Sequence, residues 1–219
     1  MLRTMAIVAL KGGSGKTTIA THLAIAAHLR GFDTLVVDTD VQRSSSEVLG
    51  AREGPGPACM AVSGARLLAT QIEAARLRKD LLIIDTPAGA LEDVSEAIVL
   101  SDLAVMVVRP TLLDIAALAR TVGIVWRLRK PSVVVVNQAP TARNGIEPPL
   151  MQRALRALNY MKLPIASTIV RARAIYQTAL ETGRSAEEMG DAAAAREIAA
   201  LWDYVEAATP SLADEDRQA

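Results

Sequence analysis

A chain of 219 residues, about half of them hydrophobic, is long enough to bury a full core and suits one α/β domain. Cys59 is the only cysteine, which excludes a disulfide framework and a cysteine-based metal site within one chain; a reducing compartment is the default. The net charge is zero but uneven: residues 101–184 carry 12 basic and 4 acidic side chains, and residues 185–219 carry 2 and 9. The middle block predicts either a basic face for a polyanion or an ordinary solvated, arginine-rich surface.

The chain starts with a short apolar run, Met5–Leu10. Neither this run nor any other segment approaches the roughly 18–20 apolar residues that span a bilayer. Lys11 interrupts the run, which therefore predicts a first β-strand and not a signal peptide.

A glycine-rich loop follows this strand and opens into an amphipathic segment, Thr17–Arg30, which predicts a helix. Strand, glycine loop and helix are the context of a phosphate-binding loop. The loop begins at Lys11, and its predicted nucleotide-binding residues are Gly12, Gly13, Ser14, Gly15, Lys16, Thr17 and Thr18. Glycines let backbone N–H groups approach phosphates, Lys16 adds a charge at the β/γ-phosphates, and the Thr17 hydroxyl completes a Mg²⁺ shell. The alternative is a glycine-rich turn that binds nothing.

The loop departs from the general pattern G-x-x-x-x-G-K-[ST], because Leu10 stands where a glycine is expected. Its form, K-G-G-x-G-K-T-T, resembles the deviant Walker A loop of the ParA/MinD family of ATPases. That resemblance implies ATP and Mg²⁺ as cofactors and gives Lys11 and Lys16 catalytic roles.

The next apolar run, Thr34–Val37, predicts a buried strand that ends in two acids, Asp38 and Asp40. The segment Asp38–Gln42 resembles switch I of this family, which usually reads D-x-D-P-Q. Val41 stands here in place of the proline. The resemblance implies that Asp40 orients the attacking water and that Asp38 lies closer to the Mg²⁺ shell. Alternatively, Asp40 only caps a helix over Ser44–Leu49.

A short strand is predicted at Cys59–Val62 and a helix at about Arg66–Lys79, whose expected buried residues are Leu67, Leu68, Ile72 and Ala75. Four aliphatic residues then precede Asp85-Thr86-Pro87. This pattern predicts a Walker B strand with Asp85 as a Mg²⁺ residue, and the resemblance identifies Asp-Thr-Pro as switch II.

Further strands are predicted at Leu103–Val108, Val133–Val136 and Leu163–Val170, with helices at Leu112–Leu128 and about Leu150–Tyr160. The first of these helices is expected to bury Ile115, Leu118, Ala119, Val122 and Trp126. The resemblance implies that Asn137, directly after a strand, contacts the adenine edge of the nucleotide; it can instead cap the strand end.

Arg171 and Arg173 follow the last predicted strand. In ParA-type members arginines of this segment contact DNA phosphate, which implies sequence-independent, salt-sensitive binding. The alternative is that these arginines solvate a strand end or hold a dimer.

The alternation of strands and helices predicts an α/β fold: a doubly wound, mainly parallel sheet with helices on both faces. We expect a single P-loop ATPase domain over residues 1–208, whose last helix runs from about Ala192 to Ala207, and a disordered acidic tail at 209–219. No basic amphipathic helix follows, so no membrane partner is expected.

The resemblance covers most of the chain and is nearest to the small, ParF-like partition ATPases. It implies a homodimer that sandwiches two ATP molecules, each Lys11 reaching the partner's phosphates. ATP hydrolysis would be slow until a ParB-type or cargo-adaptor protein stimulates it. The ATP dimer would bind non-specific DNA in the cytoplasm, on the nucleoid, and drive the partition of a plasmid or chromosome.

Three other classes share the loop. A related ATPase positions a protein cargo on the nucleoid, and the sequence does not separate it from DNA partition. A MinD-like membrane ATPase lacks support at the C-terminus. A nitrogenase-reductase-like electron carrier needs two cysteines in each subunit for its cluster, and Cys59 stands alone.

Overall fold

The computed structural model describes residues 1–210, in which six strands form one sheet. The strands are β1 (Arg3–Val8), β2 (Thr34–Asp38), β3 (Ala58–Ala61), β4 (Leu81–Asp85), β5 (Leu103–Val108) and β6 (Ser132–Val136). Their order is β3-β2-β4-β1-β5-β6, and every adjacent pair is parallel. Continuous aliphatic strands suit a parallel sheet covered on both faces. The predicted fold class is confirmed.

Eight α-helices surround the sheet in the described residues. They are α1 (Lys16–Leu29), α2 (Ser44–Gly50), α3 (Leu67–Arg76), α4 (Leu91–Leu100), α5 (Leu112–Leu128), α6 (Pro149–Tyr160), α7 (Ile175–Leu180) and α8 (Ala192–Ala208). Short 3₁₀ turns lie at Gly64–Arg66 and Ala186–Glu188. Within residues 1–210, none of the helices combines the length and the apolar character needed to cross a bilayer.

The side chains of each strand alternate between two cores. Met5 and Ile7 of β1 pack with α1, α7 and α8 on one face, whereas Ala6 and Val8 pack with α3 to α6 on the other. The pairing of β2 with β4 places Asp38 beside Asp85 at the carboxyl edge of the sheet. Open α/β sheets bind their ligands at this edge.

The predicted strand at Leu163–Val170 is wrong, because only isolated bridges join this segment to the sheet region. The N–H of Ala166 donates to the carbonyl of Val134, and the N–H of Val170 donates to that of Val136. The segment thus advances four residues while β6 advances two, so a regular ladder cannot continue.

Two predicted helix faces also need correction. In α3, Leu68, Ile72 and Ala75 are exposed, and Leu67 and Ala74 are the buried pair. Gln71 lies between Leu67 and Ala74 on the same side of the helix and donates to the Thr4 hydroxyl and the Leu100 carbonyl. These hydrogen bonds direct this side of α3, and not the side of Leu68 and Ile72, toward the protein.

In α5, Ala119 and Trp126 are exposed, contrary to expectation, whereas Ile115, Leu118 and Val122 are buried as expected. Asp114 is buried at the start of this helix. Positions 118, 121 and 125 follow it at helical spacing, so they lie on the same side of the helix and are buried too. The buried acid therefore sets which side of the helix faces the core.

Helix α8 ends at Ala208, and the domain boundary at residue 208 stays a prediction. Thr209 is buried, and its hydroxyl donates to the carbonyl of Val205. Residues 211–219 of the predicted acidic tail lie outside the described residues.

His22 is a fully buried titratable group inside α1. Its Nδ1 lies 2.8 Å from the Thr18 carbonyl oxygen, and its ring meets that of Tyr176 edge-on at 5.2 Å between centroids. Burial lowers the pKa of His22 to about 4, although the Thr18 carbonyl acts in the opposite direction. The folded protein therefore holds this imidazole neutral at pH values where an unfolded chain protonates it.

We expect His22 to reduce the free energy of unfolding by about 2 kcal/mol between pH 7.5 and pH 5. The sign follows from the lowered pKa. Below about pH 6.5 the imidazole is protonated in the unfolded state and stays neutral in the folded state, so lowering the pH stabilises the unfolded state. Urea unfolding at both pH values should show that His22→Gln loses this part of the pH dependence. His28→Gln, a change at a partly exposed position of the same helix, should keep it. Equal pH dependence in all three proteins would contradict the assignment.

Candidate functional site

The loop between β1 and α1 has the backbone of a phosphate cradle. Gly13 and Gly15 have φ values of 76° and 88°, the left-handed region that favours glycine. A Cβ atom on Gly15 would lie 2.2 Å from the Asn137 amide nitrogen, so only glycine fits there. Helix α1 begins at Lys16 without a side-chain cap, which leaves its first N–H groups for an anion.

Lys16 lies inside this loop and is only 7% exposed. Burial lowers its pKa, and the opposite charges of Asp85 and Asp40 act against that shift. The ammonium therefore lies in the field of two carboxylates at the carboxyl edge of the sheet. Such a cation suits a phosphate chain that carries its own divalent metal ion.

Asp85 lies at the end of β4 and is fully buried. The hydroxyls of Thr17 and Ser45 donate to its Oδ2 at 2.8 and 2.5 Å, and its Oδ1 has no hydrogen-bond partner. Burial raises the pKa of Asp85 to about 6, and the two hydroxyls partly offset this.

The donor set around Asp85 fits Mg²⁺. A free, buried carboxylate oxygen beside the Thr17 hydroxyl supplies the hard oxygen ligands that this ion prefers. Within residues 1–210, no group of three or more His, Cys, Asp or Glu side chains forms a metal cage.

The two acids of the predicted switch I organise their own loop. Asp38 is buried; its Oδ2 accepts from the N–H and hydroxyl of Ser46, and its Oδ1 accepts from the Asp40 N–H. Asp40 is partly exposed and accepts from the Gln42 N–H at 2.9 Å. Val41, at the family's proline position, is 87% exposed. The structure brings Asp38 to the metal site, and its role there stays a prediction.

Ser45 and Ser46 were not identified from the sequence as site residues. Ser45 is fully buried on α2 and joins this helix to Asp85, while Ser46 joins it to Asp38. The available signal was the run of three serines directly after switch I. Together the two hydroxyls couple the position of α2 to both carboxylates of the site.

Lys11 lies outside the loop interior and is held by a buried acid. Its Nζ donates to Asp114 Oδ2 at 3.0 Å, and the same carboxylate accepts from Arg109 Nε at 3.1 Å and from the Thr111 hydroxyl. Burial alone would raise the pKa of Asp114, but the hydrogen bonds from Thr111, Lys11 and Arg109 lower it. The sequence analysis did not identify Asp114 and Arg109 as site residues. Only their position shortly after the end of β5 could have indicated them.

Asn137 holds the phosphate loop from the side. Its amide nitrogen donates to the Ser14 carbonyl at 2.9 Å, and the Gln138 side chain donates to the Gly13 carbonyl at 3.3 Å. An open cleft beside Thr18 is lined by these two amides and by Arg171, Arg173 and Tyr176. The cleft is well placed for a base or ribose next to the phosphates, and the adenine contact of Asn137 stays a prediction.

Arg171 and Arg173 are both paired with carboxylates. Arg171 binds Glu147 through two nitrogens, at 2.9 and 2.5 Å, and donates to the Pro140 carbonyl. Arg173 binds Glu197, at 3.0 and 2.7 Å. Their predicted contact with DNA would have to compete with these ion pairs.

Over residues 5–191 the sequence matches the family model described as the CobQ/CobB/MinD/ParA nucleotide binding domain. The chain belongs to this family. The matched range includes the glycine loop, Asp38, Asp85, Asp114 and Asn137. Which of these residues bind the nucleotide stays a prediction. The resemblance to ParA/MinD ATPases seen in the sequence is confirmed.

Several members of the family and its fold are similar to the chain over most of its length. The maintenance of carboxysome distribution protein A from Halothiobacillus neapolitanus is 28% identical over 192 residues, which are 85% of this chain and 88% of that protein. Apo McdA from Cyanothece superposes with a TM-score of 0.79 at 19% identity, covering 96% of this chain and all of that one. The cell division ATPase MinD from Pyrococcus furiosus superposes with a TM-score of 0.76 at 20% identity, over 94% and 99% of the chains.

Proposed function

We propose that this ParA/MinD-type positioning ATPase, with ATP and Mg²⁺ as cofactors, binds DNA non-specifically in its ATP state and drives the partition of a plasmid or chromosome. The observation that carries the proposal is the separation of the two loop lysines. Lys16 fills the loop interior, whereas Lys11 is 34% exposed and bound only to Asp114. Since Lys16 already occupies the phosphate position, Lys11 would exchange its ion pair with Asp114 for the nucleotide of a second subunit.

The residues divide the work of phosphoryl transfer. The backbone of Gly12–Gly15, with Lys16 and Thr18, binds the phosphates; Thr17 and Asp85, with Asp38 nearby, would hold Mg²⁺, which would supply positive charge beside the phosphates. Asp40 orients the attacking water, and Lys11 of the second subunit stabilises the charge of the transition state. Hydrolysis is slow until a ParB-type or adaptor protein stimulates it.

Positioning of a protein cargo is the second candidate function. The carboxysome distribution protein from Halothiobacillus neapolitanus is similar to this chain over 88% of its own length. This similarity favours a protein assembly as the cargo. Both functions use the same ATP-gated cycle on DNA and place the protein in the cytoplasm, on the nucleoid. They differ in the adaptor that stimulates hydrolysis.

Binding to non-specific duplex DNA tests the gated cycle. With a non-hydrolysable ATP analogue we expect at least about tenfold tighter binding than with ADP or without nucleotide. The affinity should fall steeply as salt rises, because phosphate contacts release counterions. The measurement is a fluorescence-anisotropy titration at several salt concentrations. The same weak binding in all nucleotide states would overturn the proposal.

A further inference from the structure

Helices α5 and α6 pack against each other on one face of the sheet, and their outer sides carry a row of arginines each. Arg120 and Arg127 are seven residues apart on α5, and Arg153 and Arg156 are three apart on α6. Both spacings place a pair on one side of its helix. All four side chains are exposed, and none forms an ion pair within the described part of the chain.

No acid balances these charges nearby in the sequence. Between Asp114 and Glu181 the only acidic residue is Glu147, and it is bound to Arg171. Asp114 is itself buried and bound to Lys11 and Arg109. The outer side of the two helices therefore carries four arginines and no acid of its own.

Two aromatic side chains are exposed on the same helices. Trp126 of α5 is 58% exposed, and Tyr160 at the end of α6 is 89% exposed. Tyr160 follows Arg156 by four residues and Arg153 by seven, so the three share one side of α6. Both side chains are open to solvent, and the Tyr160 hydroxyl can donate a hydrogen bond to a partner at this surface.

We propose that the outer side of α5 and α6, with Arg120, Arg127, Arg153, Arg156 and Tyr160, is the surface that binds the phosphate backbone of duplex DNA. The inference rests on the proposed function and assigns its DNA contacts to these free arginines in place of the ion-paired Arg171 and Arg173. Guanidinium groups and a tyrosine hydroxyl contact phosphates without reading bases.

An anionic membrane fits this surface less well. A helix that lies on a bilayer inserts an apolar side among the lipids. The apolar sides of α5 and α6, which include Leu118, Val122, Ala154 and Leu158, are packed into the core of the protein. What remains outside is the four arginines, together with exposed apolar side chains at the first turns of the two helices (Leu112, Leu113 and Leu150) and at Trp126.

The test is DNA binding by Arg153→Ala/Arg156→Ala with the non-hydrolysable ATP analogue. We expect the dissociation constant to rise at least about tenfold, and the slope of log K against log salt to fall by about 2 if each arginine covers one phosphate. The matched control is Arg76→Ala/Arg78→Ala, which removes the same charge from exposed positions around the end of α3. The control should bind as the wild type does.

Arg120→Ala/Arg127→Ala on α5 provides an independent variant, and unchanged ATP affinity shows that each variant is folded. Wild-type DNA binding in both arginine variants overturns the inference and leaves the proposed function standing. No DNA binding by the wild type in any nucleotide state overturns the proposed function as well. Binding of the wild type to vesicles of phosphatidylcholine and phosphatidylglycerol, but not to DNA, would assign the surface to lipid and overturn the inference.

Discussion

Replacing Lys16 with glutamine is expected to raise the dissociation constant for ATP at least about 100-fold. The ammonium is nearly buried in the phosphate loop, so its hydrogen bonds to phosphate form in a site that excludes most water. One or two charge-assisted hydrogen bonds at about 1.5–3 kcal/mol each account for a loss of this size. Titration calorimetry with ATP and Mg²⁺ measures the affinity directly. A normal ATP affinity would undo the assignment of the loop.

Lys11→Gln is the matched control for this substitution, since it makes the same chemical change five residues away. Its ammonium contacts Asp114 and not the loop interior, so ATP affinity should stay within about threefold of the wild type. Light scattering with ATP should find this variant as a monomer, because the charge offered to the second subunit is lost. A dimer of normal stability would contradict the role of Lys11 across the interface.

The sequence was sufficient for the parts of the site that depend on short segments. Asp38 and Asp85 end buried strands and the glycine loop comes shortly after another, and parallel strands bring their carboxyl ends to one edge. The register of β2 and β4 then places the two acids side by side. Local patterns and the geometry of a parallel sheet decide these positions without knowledge of helix packing.

Contacts between distant residues were not predictable in the same way. Lys11 and Asp114 are 103 positions apart, and their ion pair depends on how α5 is rotated about its axis. The spacing of hydrophobic residues predicted that Trp126 is in the core. In the structure, the side of α5 that carries Asp114 is buried, and Trp126 on another side is exposed. The partners of Arg171 and Arg173 lie 24 positions away, on other elements. Charge counting identified the basic block but not which of its arginines are free.

Asp40→Asn is expected to lower the rate of ATP hydrolysis at least about 100-fold while ATP affinity stays near that of the wild type. Asp40 lies close enough to Lys16 for its charge to affect the pKa of that ammonium, and it is not one of the hydrogen-bond partners of Asp85, which are Thr17 and Ser45. The loss of a carboxylate that orients or polarises the attacking water costs about 10²- to 10⁴-fold in rate. The ATP-bound dimer should therefore accumulate in light scattering.

Comparing Asp40→Asn with Asp40→Ala distinguishes the effect of the Asp40 carboxylate charge from the effect of its hydrogen bond within the loop. Asparagine keeps an oxygen that can accept from the Gln42 N–H, so the loop before α2 retains its hydrogen bond, whereas alanine removes both. If the carboxylate charge acts on the water, both variants lose hydrolysis and both trap the dimer. If only the alanine variant loses hydrolysis, Asp40 acts by shaping the switch loop. Wild-type rates in both variants would show that another group orients the water.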